Sequence, residues 1–272
     1  GRRRVTVRRQ LVPTSGPHIH TWLTDGTGLP LLMLHMSPRS CRMYHPVVDV
    51  LDRPTAAPDR PGFGYSDALT TEPTIETYAA LTLEVVDRLG WDRFDVIGTH
   101  TGSVEAIEVT RRAPGRVRRL GLVSIPAYTS EEVEMRLRGV AAPRARPVTD
   151  GSHLLDLWRR RASIRPAEIS PDHLQSLFID ELLSLDDVHS AYRAVLAYPT
   201  LDRLGTLDRP VVAFVPHDDL HDQTTRALPH LPEGSTVLDL PHLDFDLWSS
   251  APEELAGLIA DHFTLEQRSG GC

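Results

Sequence analysis

The sequence contains no lysine and no asparagine, so all 29 of its basic residues are arginine. A lysine Schiff base, or any other lysine nucleophile, is thereby excluded. The bias reads as the codon preference of a GC-rich genome. Only two cysteines occur, Cys41 and Cys272, too few for a disulfide framework or a zinc pattern. No apolar run approaches the roughly 20 residues needed to span a bilayer. No signal-peptide apolar segment follows Gly1-Arg2-Arg3-Arg4, so a cytoplasmic protein without membrane association is expected. Positive charge is also scarce: 29 basic residues face 37 acidic ones, a net charge of −8. That balance argues against a nucleic-acid partner, which needs a basic face. The short runs Arg2-Arg3-Arg4 and Arg159-Arg160-Arg161 read as solvated surface.

At 272 residues the chain approaches the upper limit for one hydrophobic core, so one domain with an insertion is expected. Val5-Thr6-Val7 and His18-Ile19-His20-Thr21-Trp22 alternate with period two and predict an antiparallel pair at a sheet edge. Leu31–Leu34 is a continuous apolar run, the pattern of a strand buried on both faces, and Phe94–Ile97, Leu120–Val123 and Pro210–Val215 are predicted as further strands. Weaker strands are predicted at Ala56–Pro58 and Thr236–Leu238. Helices are predicted over Thr74–Leu89, with Thr74 as cap, over Val104–Ala113, and near Thr224–Leu231 and Pro252–Phe263. Between 129 and 205 no strand is legible, only helical segments: Glu131–Arg138, His153–Arg161, Pro171–Leu185 and Val188–Leu196. Proline-rich connectors at Ala142-Pro143 and Arg165-Pro166 join them. Alternating β and α elements predict a mostly parallel sheet covered on both faces by helices. The expected domains are a core over 1–128 and 206–265 and a helical cap over 129–205. Residues 266–272 are expected to form a disordered tail.

Four motifs carry chemistry. Leu34-His35-Met36-Ser37-Pro38 leaves the first buried strand. Asp59-Arg60-Pro61-Gly62-Phe63-Gly64-Tyr65-Ser66-Asp67 is a glycine-rich loop. Gly98-Thr99-His100-Thr101-Gly102 sits where a strand turns into a helix. Asp219 and His242 then follow two later strands. In this order the motifs resemble the α/β-hydrolase superfamily, specifically its cap-bearing branch of haloalkane dehalogenases, epoxide hydrolases and cofactor-independent lyases or oxygenases. The resemblance runs from about residue 15 to residue 264. It implies an eight-stranded, mostly parallel sheet with a helical cap insertion.

The same resemblance places His100 at the nucleophile elbow, where the family keeps serine, cysteine or aspartate. It makes His242 the general base and Asp219 its acid partner, with Asp218 and Asp222 as alternative acids. The backbone N–H of Thr101, with that of Met36 or Ser37, would form an oxyanion hole. The Ser37 side chain would contact substrate or cap the next helix. His35 is expected to be structural. Cys41, Tyr44, Trp158, Phe178 and Tyr192 read as packing, and Thr99 and Thr101 point away from the tip.

Without a serine, acyl-enzyme chemistry is disfavoured. The expectation is a His–Asp base acting on a small, partly apolar organic substrate while His100 positions it or donates a proton. Elimination, isomerisation, cyclisation, C–C cleavage and hydrolysis by activated water all fit, in a secondary-metabolic setting. Alternatives are His100 as covalent nucleophile, a metal held by His100, His242 and His35 or Asp219, and a non-catalytic ligand-binding protein. No cofactor and no metal are implied, and a homodimer is compatible with the sequence.

Overall fold

The computed structural model describes residues 6–140, 147–163, 170–184, 188–244 and 246–264. The connectors Ala142-Pro143 and Arg165-Pro166 and the tail at 266–272 lie outside these residues.

Eight strands form one sheet: β1 (Arg8–Pro13), β2 (His18–Thr24), β3 (Leu31–Leu34), β4 (Thr55–Pro58), β5 (Phe94–Thr99), β6 (Val117–Val123), β7 (Val211–Pro216) and β8 (Thr236–Leu240). The spatial order is β1-β2-β4-β3-β5-β6-β7-β8. Strands β1 and β2 pair antiparallel, and β2 is antiparallel to β4. From β4 to β8 every pairing is parallel. This is the predicted fold class, an open α/β sheet. The first strand is Arg8–Pro13, beyond Thr6 and Val7 of the expected Val5–Val7 segment, whose Val5 lies outside the described residues. It is an edge strand in which only Val12 is buried, so hydrophobic patterning marks it poorly.

The helices are α1 (His45–Val48), α2 (Ile75–Arg88), α3 (Thr101–Arg112), α4 (Ser130–Val140), α5 (Ser152–Ser163), α6 (Pro171–Leu183), α7 (Val188–Ala197), α8 (Thr200–Leu204), α9 (His221–Ala227), α10 (Leu247–Ser250) and α11 (Pro252–Thr264). Helices α4 to α8 all fall between β6 and β7, where the sequence shows no strand. Thr74 caps α2 as expected, its hydroxyl accepting from the Thr77 N–H at 3.1 Å. Among the described residues no helix is long and apolar enough to cross a membrane.

Apolar residues on both faces of the central strands build two cores. Leu32 and Leu34 of β3 join Val96, Leu120 and Leu122 beneath α2 and α3, while Leu31 and Met33 join Ile97, Val123 and Phe214 on the opposite face. There Trp248 and Phe263, from α10 and α11, complete the packing. Burying each such side chain contributes roughly 1.5–3 kcal/mol. The result is a mostly parallel sheet whose carboxyl-end loops, the usual ligand-binding edge of such sheets, carry the candidate site.

Candidate active site

The turn from β5 into α3 places His100 at its tip, with φ 51° and ψ −115°. A non-glycine residue at positive φ is strained by about 1–3 kcal/mol and must be held by its surroundings. Here the His100 N–H donates to the Val123 carbonyl at 2.9 Å, and its carbonyl accepts from the Ser103 N–H at 2.8 Å and the Ser103 hydroxyl at 2.6 Å. The flanking glycines are a steric necessity. A Cβ at Gly98 would strike the Gly102 carbonyl, and one at Gly102 would strike the Leu34 carbonyl of β3. Strand, turn and helix approach too closely for side chains.

The imidazole of His100 meets a carboxylate, and that carboxylate belongs to Asp218. Nε2 lies 2.8 Å from Asp218 Oδ2 and 4.0 Å from Asp219 Oδ1. The Asp218 side chain is fully buried, whereas that of Asp219 is 68% exposed. Asp218 also accepts from the Ser124 hydroxyl and, through Oδ1, from the Leu220 N–H at 2.9 Å. Burial alone would raise its pKa; the donors His100, Ser124 and Leu220 outweigh that and hold it below the usual carboxylate range. A carboxylate can only accept, so Nε2 is the donor in this contact and Nδ1 is the ring nitrogen that does not face Asp218. Among the described residues nothing else bonds to the ring.

Ser124, which the sequence did not single out, directly follows β6 at φ 55° and is completely buried. Two strained residues, His100 and Ser124, therefore stand on neighbouring strand ends and share one carboxylate oxygen. No local motif marks Ser124. Its signal lies in the pairing of Thr99 on β5 with Val123 on β6, which sets the two following residues side by side.

His242 is elsewhere. It sits in the turn after β8, 57% exposed at its side chain, with Nε2 3.0 Å from Glu254. The expected Asp219–His242 pair is not formed. The neighbouring residue explains the orientation: Leu243 is buried, and its carbonyl accepts from the His217 N–H at 2.9 Å. Anchoring Leu243 inward turns His242 outward, towards α11. Asp222 is exposed in the first turn of α9.

Met36 and Ser37 are buried on the loop after β3. The Met36 carbonyl accepts from the Arg39 N–H. The Ser37 hydroxyl accepts from Arg60 Nη1 at 3.1 Å, and its carbonyl accepts from the Tyr192 hydroxyl at 3.4 Å. Ser37 does not cap the following 3-10 turn; Ser40 does, accepting from the Arg42 N–H. Neither the Met36 nor the Ser37 N–H has an acceptor among the described residues. The Thr101 N–H, in the first turn of α3, likewise has no intrahelical partner.

Beneath this loop His35 is fully engaged. Nε2 accepts from the Arg60 N–H and Nδ1 donates to the Met36 carbonyl, both at 2.8 Å. Burial, aided by the Arg60 guanidinium, pushes its pKa down to about 3, so the ring is neutral. Arg60 in turn pairs with Glu105 at 2.8 Å. The glycine-rich loop braces the same region: Asp59 accepts from the Cys41 N–H and from His20, both at 2.7 Å. Thr99 is buried, its hydroxyl bonded to Tyr44 and Trp248 at 3.1 Å each. Trp158 packs edge-to-face on Phe178 at 5.4 Å. His100, Asp218 and Asp219 are close enough to hold a divalent ion, but Nε2 and the Asp218 carboxylate already satisfy each other.

A parallel sheet with a strained strand–turn–helix elbow, facing a buried acid from a later strand, defines a hydrolase-type α/β architecture. A family model described as the alpha/beta hydrolase fold matches residues 30–144. The chain is similar to an N-acyl homoserine lactonase solved with N-hexanoyl homoserine, at 22% identity over 96% of this chain and 98% of that one, TM-score 0.73. It is similar to a thermophilic esterase from Thermogutta terrifontis, at 21% identity over 95% and 98%, TM-score 0.75. It is also similar to the enol-lactonase from Burkholderia xenovorans LB400, at 17% identity over 95% and 100%, TM-score 0.77. The chain is an α/β-hydrolase-fold protein.

Proposed function

We propose that this chain is a hydrolase that opens small, partly apolar esters or lactones with water, using His100 as general base and forming no acyl-enzyme. The observation that carries this reading is the 2.8 Å contact between His100 Nε2 and Asp218. Asp218 holds the proton on Nε2, leaves Nδ1 basic, and stabilises the imidazolium when Nδ1 takes a proton. Base and oxyanion donor are neighbours in sequence: the Thr101 N–H, with Met36 or Ser37, receives the charge that develops on the carbonyl oxygen. Water attacks the carbonyl carbon as Nδ1 takes its proton; collapse of the tetrahedral adduct expels the alkoxide, which recovers that proton. The names of the lactonase, esterase and enol-lactonase relatives support a carbonyl substrate. His242, bonded to Glu254, takes no part.

Single turnover in ¹⁸O-labelled water, with a panel of medium-chain esters and lactones and intact-mass detection, tests this. One labelled oxygen in the acid product, with no acylated protein at any time, is expected. An acylated His100 or threonine, or no turnover of any panel member, would overturn the proposal.

A further inference from the structure

A cavity of about 380 Å³ lies between α6 and the surface formed by β1, β2 and α1. Its lining includes none of His100, Ser124, Asp218, Thr101, Met36 or Ser37. Its lining includes the apolar side chains of Trp22, Met43 and Leu177. Much of the rest is charged, and its sign is unusual for this protein. Against a chain carrying a net charge of −8, the lining has three arginines and two histidines but only two aspartates.

Both aspartates are already matched. Asp246 pairs with the buried Arg39 at 3.1 Å, and Asp180 with Arg42 at 3.3 Å. Among the described residues that leaves one guanidinium of the lining without a carboxylate, Arg9, whose carbon lies 5.5 Å from the centroid of the Trp22 ring. His45 meets the same indole edge-on at 5.5 Å. A lone cation beside an aromatic wall is suited to one negative charge on an apolar body. Inorganic phosphate would leave Trp22, Met43 and Leu177 unfilled, and a neutral apolar molecule would leave the guanidinium unmatched.

We propose that this cavity is a second binding site, taking a small monocarboxylate with an aromatic or aliphatic body. The carboxylate sits on Arg9 and the body lies along Trp22 and Leu177. The ligand bridges the insertion, through α6, to the sheet. It does so beside Arg39, two residues after Ser37 on the loop that flanks His100. The site does not depend on the catalytic reading, because it shares no residue with it.

Calorimetric titration of the whole protein with 3-phenylpropionate and with octanoate tests the proposal, with 3-phenylpropionamide as the uncharged control. Arg9→Gln removes the cation from an exposed edge-strand position and leaves the core intact. His100→Ala disables the other site. Saturable one-to-one binding of a carboxylate is expected, weakened about tenfold by Arg9→Gln and by the amide, and unchanged by His100→Ala. Absence of saturable binding, equal affinity in Arg9→Gln, or loss in His100→Ala with Arg9→Gln unaffected would overturn it. The last result would place the ligand at the elbow instead.

Discussion

His100 and Asp218, 118 positions apart in the chain, meet at 2.8 Å across the carboxyl ends of β5 and β7. The contact joins a strained turn to a buried acid; of the remaining donors to that acid, Ser124 comes from the end of β6 and Leu220 from the acid's own loop. Three stretches of chain thus converge on one carboxylate.

Asp218→Asn should keep the fold and lose the chemistry. An amide presents either a donor or an acceptor to Nε2 but no negative charge, so the imidazolium loses its stabilisation. A fall of about 10²–10⁴ in kcat/KM is expected, with KM changed little. Asp219→Asn, at an exposed position 4.0 Å away, should stay within a few-fold of wild type. Steady-state kinetics of the two variants, beside circular dichroism to verify folding, separates these roles.

Ser124 offers a way to separate a hydroxyl from a backbone. Ser124→Ala removes the bond to Asp218 and keeps the strain of φ 55°. Ser124→Gly removes the same bond but relieves the strain. Ser124→Gly should therefore be the more stable by about 1 kcal/mol, while both lose activity alike. A urea-unfolding comparison reads the first difference. Equal stabilities would show that the strained backbone is not a liability at this site.

Stability should fall on acidification below pH 6.5, because of His35. Its ring is held neutral with a pKa of about 3, whereas in the unfolded chain it titrates near 6.5. Between those values the unfolded state binds the extra proton. The stabilisation is fully present above pH 6.5 and declines as pH falls towards 3, by at most about 1.4 kcal/mol per pH unit. Urea midpoints at pH 7 and pH 5 measure it. His35→Gln should be less stable at pH 7 and should lose most of this pH dependence. The same slope in His35→Gln and wild type would assign the effect to another group.

Gly102→Ala should fail to fold. A methyl there strikes the β3 backbone at Leu34, where no side-chain rotation relieves the clash. A loss beyond about 4 kcal/mol is expected, in the exceptional range for a point change. Gly115→Ala, where a Cβ meets nothing within 4 Å, is the matched control. Soluble yield and thermal melts distinguish them.

The sheet was legible because β3 and β7 are uninterrupted apolar runs, and β5 and β6 are largely apolar after Asp95 and the Arg118–Arg119 pair near their starts. The elbow was legible because its two glycines bracket a strand-to-helix turn within five residues, although the backbone that Gly102 must clear belongs to β3. The acid was not settled by sequence. Asp218 and Asp219 are adjacent, and the choice between them depends on how the chain leaves Pro216, where Asp218 also bonds the Leu220 N–H. His242 illustrates a different limit. Its position after β8 matched the resemblance, but its direction is decided by the burial of Leu243 and the presence of Glu254 on α11. Ser124 was invisible because its role exists only through strand pairing. Spacing located the segments that reach the site; packing decided which side chain of each one faces it.

The most direct measurement compares His100→Gln with His242→Gln in kcat/KM for one hydrolysed ester or lactone. A general base held by Asp218 at the elbow predicts a loss of at least about 10² for His100→Gln, and a value within twofold of wild type for His242→Gln. A collapse in His242→Gln with His100→Gln active would contradict the account and return the base to the turn after β8.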